Sequence, residues 1–270
     1  MRRKHYGKCA LCGKECDLSF EHIPPKSAFN STPIKPVSGI TLISEKGKNN
    51  LPWETKGLQY ENQQNGMGLF SLCKACNNST GAWYGDAYRS FAECGAQLLS
   101  SKDLSQYHSV MMKALYPLQI FKQIISMFCS INPPTVFDLS DLRKFVLDKD
   151  SNDFNVNKYK LNMYFTRSTT KKYNPFSSVI NLNTMNGVVV SELVAYPLGF
   201  LLYFDPSTEQ SYEGFDITSF SNCKYDDVYN VKMPIIVHEV NNWIPNDYRS
   251  RAEIIQGVES TEKWVKEHSN

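Results

Sequence analysis

No apolar run in this sequence approaches the roughly 20 residues that a membrane-crossing helix needs. The longest candidate, Ala195 to Phe204, is about half that length and is interrupted by Pro197 and Gly199. The N-terminus is basic at Arg2, Arg3 and Lys4 but lacks the apolar stretch of a secretory signal. A cytoplasmic protein without membrane contact is therefore expected. An excess of one charge is lacking too. The net charge is only +2, so the chain as a whole does not announce a polyanionic partner. Internal repeats and low-complexity segments are absent, which argues against a solenoid or a disordered tail.

What is present describes an ordinary globular chain. Its 270 residues, 41% hydrophobic and 21% charged, suffice for one large domain or two small ones. Eight cysteines in a chain expected to be cytoplasmic are not read as disulfides, and the paired spacing of four of them favours metal. Cys16, Cys94, Cys129 and Cys223 stand alone and read as small buried hydrophobes, although Cys16 lies close enough to Cys12 to compete for a metal. Charge is unevenly divided. Residues 1–90 hold twelve Lys/Arg against seven Asp/Glu, a balance of +5, and the remainder balances at −3. A basic first third suits contact with phosphates.

Periodicity gives an α+β chain. Cys16–Ile23 reads as a short β-hairpin ended by Pro24-Pro25, and residues 28–68 as a long polar insertion with one strand at Ile40–Ile43. Leu69–Leu72 reads as a strand, and a helix should run from Asn77 or Ala82 to Leu99. A second helix, apolar on most faces and interrupted at Pro117, is expected over Ser105–Cys129, with a short one at Asp138–Leu147. Beyond Lys158 the pattern alternates. Lys160–Thr166, Ser178–Leu182, Gly187–Leu193, Gly199–Phe204 and Val231–Val240 suggest an antiparallel sheet, with a last helix at Thr261–His268.

The chemistry is concentrated between Cys9 and Asp86. Cys9-x-x-Cys12 and Cys73-x-x-Cys76 supply four thiolates, a closed tetrahedral set of the kind zinc prefers. Between them lies Glu21-His22-Ile23-Pro24-Pro25-Lys26, an acidic residue beside a histidine, which suits a divalent cation and a general base. The second pair runs into Asn77-Asn78, neutral oxygen ligands where a helix should begin. Phosphodiester hydrolysis needs an activated water, neutralised phosphate charge and a stabilised leaving oxygen. Two oxygen ligands around one hard cation leave positions open for water and phosphate.

The order Cys9-x-x-Cys12, Glu21-His22-Ile23-Pro24-Pro25, Cys73-x-x-Cys76-Asn77 resembles the HNH endonucleases, the zinc-stapled branch of the ββα-metal nucleases. The resemblance covers residues 9–91. It implies an N-terminal zinc-stabilised ββα-metal domain over 1–100; the sequence pattern beyond it reads as a helical connecting segment over 101–150 and an antiparallel β-rich α+β domain over 151–270. It implies that His22 is the general base, that Glu21 and Asn77 hold a catalytic Mg²⁺ or Mn²⁺, and that Cys9, Cys12, Cys73 and Cys76 hold a structural zinc. Asn78 and Asp86 are weaker candidates, and Asn77 and Asp86, nine residues apart, both face the metal only if the helix breaks at Gly81 or Gly85. The family's central Asn has no counterpart at Gly68, so Asn62 or Asn65 is expected to orient the histidine loop from a shifted register. Lys26, Lys74 and Arg89 are candidate phosphate contacts, and Trp53 and Tyr60 candidate base-stacking residues. The substrate implied is nucleic acid, DNA before RNA, in a setting such as restriction or phage defence. The C-terminal region would then recognise a signal, a partner protein or a second copy. The competing reading is a non-catalytic zinc protein that binds nucleic acid or recruits a partner.

Overall fold

The computed structural model describes residues 5–47, 49–101, 103–135, 138–181 and 186–268. Arg2, Arg3, Lys4 and Leu182, named above, lie outside the described residues.

Strand β1 (Tyr6–Lys8) turns at Gly13, whose φ of 73° suits a residue without a Cβ, into β2 (Glu15–His22). The hairpin expected over Cys16–Ile23 is instead one continuous central strand. It pairs antiparallel with β1 on one side and, across residues 23–67, with β3 (Gly68–Cys73) on the other. Within the insertion, the strand expected at Ile40–Ile43 is a short helix, α1 (Gly39–Leu42). Ser38 caps it by accepting from the Thr41 amide at 3.2 Å. Ile40 stays 81% exposed, so no sheet rewards its β-branched side chain.

Helix α2 (Lys74–Ser100) follows β3 without a loop and runs unbroken through Gly81 and Gly85. Its buried stripe, Thr80, Tyr84, Ala87, Tyr88, Phe91 and Gly95, has helical spacing and faces the core. The single helix expected over Ser105–Cys129 is two elements, β4 (Ser109–Leu115) and α3 (Pro117–Ile131). Pro117 sits in the first turn, where its missing N–H costs nothing, and so starts the helix rather than kinking it. In α3 only Gln119 escapes burial, so this helix forms the centre of the molecule. Helix α4 (Ser140–Leu147) packs on it, and buried Lys122 donates to the Phe145 carbonyl at 2.6 Å and to that of Asp148, closing the α4 C-terminus.

The C-terminal half is the expected antiparallel sheet. Strands β5 (Tyr159–Phe165), β6 (Lys172–Asn181), β7 (Asn186–Ala195), β8 (Leu198–Phe204) and β9 (Phe215–Asp216) lie in the order β6-β7-β8-β5-β9. The strand expected over Val231–Val240 is instead β10 (Tyr229–Pro234), which lies outside this sheet and pairs with β4 in a separate two-stranded one. Helix α5 (Arg251–His268) is longer than expected and buries only Ile254. The protein is thus a mixed α+β structure with antiparallel sheets. One hydrophobic cluster joins Leu72 of β3, Phe91 of α2 and Phe128 of α3 to Phe165 and Phe200 of the five-stranded sheet. On the same sheet, buried Glu192 accepts from Tyr164 and Tyr248 hydroxyls at 2.8 Å and pairs with Lys172 at 2.9 Å. Among the described residues no helix is long and apolar enough to cross a membrane.

Candidate metal centre and histidine site

The two cysteine pairs meet because β1 and β3 flank the same strand. The first forms a tight knuckle after β1, closed by the Cys9 amide donating to the Lys14 carbonyl at 2.9 Å. The Ala10 amide docks this knuckle on the Ser71 carbonyl of β3 at 2.8 Å. The second pair straddles the β3–α2 junction. Cys73 ends the strand and caps the helix, its sulfur accepting from the Cys76 amide at 3.4 Å. The ligand atoms of Cys9, Cys12, Cys73 and Cys76 all lie within 4.8 Å of one another. Cys12 and Cys73 Sγ are 3.9 Å apart. A tetrahedral zinc with bonds of about 2.3 Å needs sulfur edges of about 3.8 Å, so the four residues fit a zinc ion.

Crowded thiols also show which charge the metal must balance. A hydrogen bond from Cys76 stabilises the Cys9 thiolate and holds Cys9 well below the usual thiol range. The same bond, with burial, drives Cys76 far up. Burial raises Cys12 as well. Zinc binding converts this mixed set to thiolates and releases protons. Cys16 is outside the cluster, and its thiol faces the Lys14 carbonyl at 3.5 Å.

Glu21 and His22 end β2, opposite Leu69 and Gly68. Glu21 is 6% exposed, and burial pushes its carboxyl up to about 8. Burial, then the nearby Lys26 charge, holds the half-buried His22 ring below the usual histidine range, while the Asn65 backbone acts in the opposite sense. The His22 Nε2 is buried and has no hydrogen-bond partner among the described residues.

The loop after His22 is fixed by a residue that the sequence did not single out. Asn30, fully buried, donates to the carbonyls of Pro24 and Met67 at 2.7 Å and accepts from the Met67 amide at 2.8 Å. Gly66, at φ 92°, permits this approach, because a Cβ there would lie 2.1 Å from the Asn30 carbonyl oxygen. Asn65 touches the histidine through its backbone, and Asn62 is exposed. The signal for Asn30 would have been an amide side chain just past Pro24-Pro25, where a loop must return to its strand.

Asn77, in the first turn of α2, reaches across to β2. Its Nδ2 donates to Ser19 Oγ at 3.1 Å and to the Phe20 carbonyl at 3.2 Å. Asn77 therefore sits against the strand that ends in Glu21-His22. Asn78 is exposed. The unbroken helix carries Asp86 to an exposed position paired with Arg89 at 3.5 Å, and Arg89 also lies 3.9 Å from Glu93. Lys26 and Lys74 are exposed. Arg251 covers Trp53 at 4.8 Å and Lys35 covers Tyr60 at 4.9 Å. His238 stacks on Tyr248 at 4.0 Å and lies 3.3 Å from Glu213, a packing role in the C-terminal half.

No protein-family model matches the chain, and no curated protein or solved structure matches it either.

The features at hand are thus local ones. A four-cysteine cluster able to hold a metal sits at the root of α2, and a histidine and a carboxyl sit at the end of β2. An amide side chain ties the two elements together.

Proposed function

We propose that the chain is a metal-dependent HNH endonuclease that hydrolyses nucleic-acid phosphodiesters, with DNA the first substrate to test. Its catalytic part is residues 1–100, followed by the helical segment 101–150 and by 151–270 as a recognition or sensing region. The observation that carries this reading is the bond pair from Asn77 to Ser19 and Phe20. It sets the start of α2 against the strand bearing Glu21 and His22, with the cysteine cluster directly beneath.

Each residue then has a task in its own chemistry. His22, held neutral by burial and by Lys26, takes the proton from an attacking water at physiological pH. Asn30 and Gly66 keep the His22 loop in one conformation, which limits the reorganisation needed when the proton moves. Asn77 spends its amide nitrogen on β2, so its oxygen is the atom available to a cation together with the Glu21 carboxylate. Mg²⁺ or Mn²⁺ bound there would neutralise phosphate charge and favour ionisation of Glu21. A zinc ion held by Cys9, Cys12, Cys73 and Cys76 would tie the first turn of α2, and hence Asn77, to the knuckle after β1.

The reading is tested by titrating Mn²⁺ into the zinc-loaded protein and following plasmid nicking. Glu21→Gln and Asn77→Ala should each raise the Mn²⁺ requirement at least tenfold without loss of zinc. Nicking that ignores both substitutions, or that persists in chelator, argues for another centre or a contaminant.

A further inference from the structure

The three-stranded sheet carries a row of aromatic rings that begins at His22. Phe20 meets His22 edge-on with centroids 5.0 Å apart, and meets Phe70 at 5.3 Å. Phe70 stacks on His5 at 3.5 Å with the planes 9° from parallel. Phe20 and Phe70 are cross-strand partners, so their side chains leave the same face of the sheet. Gly68 makes room for the row, since a Cβ there would lie 2.8 Å from the Phe20 ring.

Core packing does not account for these rings. The hydrophobic cluster takes Leu18, Leu69 and Leu72 from the same strands but none of His5, Phe20 and Phe70. Phe70 remains 42% exposed. Lysines stand at both ends of the row. Exposed Lys8 and Lys14 lie at the β1–β2 end, alongside exposed Glu15 and Asp17 of β2, and exposed Lys26 lies at the His22 end. Rings for base faces with lysines for phosphates are what an unpaired strand requires, because a duplex keeps its base faces stacked inside.

We propose that His5, Phe70 and Phe20 form a stacking platform for unpaired bases leading away from His22, so that the substrate class is single-stranded or locally unpaired nucleic acid. This rests on the reading of His22 as the hydrolytic centre only for the order of events; the binding surface stands separately.

The test is fluorescence anisotropy of the full-length, zinc-loaded chain without divalent cation. The probes are labelled oligo-dT, labelled oligo-rU and a blunt duplex of equal length. The parent should bind a single strand more tightly than the duplex. Phe70→Ala and Phe70→Leu should each weaken single-strand binding about tenfold, as expected for one lost stacked base. Phe70→Trp should restore it, and duplex binding should be unchanged throughout. The leucine variant keeps apolar bulk without a stackable ring, so a fold defect confined to alanine does not spoil the comparison. Single-strand binding within twofold of the parent in both variants, or duplex binding as tight as single-strand binding, overturns the proposal. A preference for dT or for rU supports the platform either way. Cleavage scored in parallel separates the two claims. Normal cleavage with no Phe70 effect sinks the platform and leaves the nuclease. A Phe70-dependent binder that cleaves nothing keeps the platform and sinks the nuclease.

Discussion

Lys171, just before β6, places its ammonium 3.4 Å from the Asn30 amide oxygen and 3.3 Å from the Thr32 hydroxyl. Asn30 is the residue that holds the loop after His22. The C-terminal half therefore touches the candidate site through one hydrogen-bonded chain, joined by the Phe29–Tyr196 ring contact at 5.5 Å. Asn30→Ala would leave the Pro24 and Met67 partners unsatisfied in a dry site, at a cost of about 2–4 kcal/mol. Lys171→Met removes a partly exposed partner and should cost under about 1 kcal/mol. Denaturant melts of both variants check the ranking, and nuclease activity should fall in the same order.

The cysteine centre should bind one zinc per chain. Cys12→Ser should remove most of it, because three thiolates and a hydroxyl make a poor site for this ion. Elemental analysis gives the stoichiometry. Hydrogen exchange should then show faster exchange in the first turn of α2, where Cys76 and Asn77 lie, while α3 stays protected. Equal protection of both helices would mean that the cluster carries no fold.

The parts of the site that were legible in the sequence are those whose chemistry is carried by short spacing. The two Cys-x-x-Cys pairs name their partners by residue type alone, and the cluster assembles as the spacing implies. Asn30 was not legible, because its role depends on Met67, 37 residues away, and on a glycine at 66. The β4–α3 region misled for a different reason. Val110, Leu115, Leu118 and Ile120 fit a helical stripe, but strand pairing of Ser109–Leu115 with β10 overrides periodicity, and nothing local announces that partner. Pro117 was the decisive local signal, and it marks a helix start as readily as a kink. The C-terminal strands were legible because Tyr159–Phe165 and Leu198–Phe204 are bounded by turns and rich in sheet-forming residues.

Two pH dependences follow from the site. His22 titrates below the usual histidine range, so the acid limb of any cleavage profile assigned to it should lie below about pH 6.5. Glu21 acts on stability. Its carboxyl moves from an ordinary 4.5 to about 8 on folding, so between those values the folded chain holds a proton that the unfolded chain has lost. Stability of the protein without Mg²⁺ should therefore fall as pH rises through this window, by a few kcal/mol. Glu21→Gln should flatten the slope, and added Mg²⁺ should recover stability at the alkaline end. Thermal melts at fixed ionic strength between pH 5 and 9 read both effects.

The Lys172–Glu192 pair offers a test remote from the site. Both side chains are buried, so Glu192→Leu leaves an ammonium in the sheet with the Ile244 carbonyl as its one remaining partner among the described residues. The expected loss is about 3–5 kcal/mol, as for other buried pairs broken on one side. The double variant with Lys172→Met should recover only the part due to the stranded charge, because the Tyr164 and Tyr248 hydroxyls still lack their acceptor, and a melting comparison of the single and double variants decides.

Cleavage of plasmid and single-stranded DNA with Mg²⁺ or Mn²⁺, comparing the parent with His22→Ala at matched zinc content, tests the central claim most directly. The account predicts metal-dependent cleavage by the parent and loss of at least a hundredfold in the variant, whose zinc and melting temperature stay near those of the parent. Equal cleavage by both proteins would contradict the assignment of His22, and no cleavage by either, with zinc bound and the fold intact, would contradict the nuclease itself.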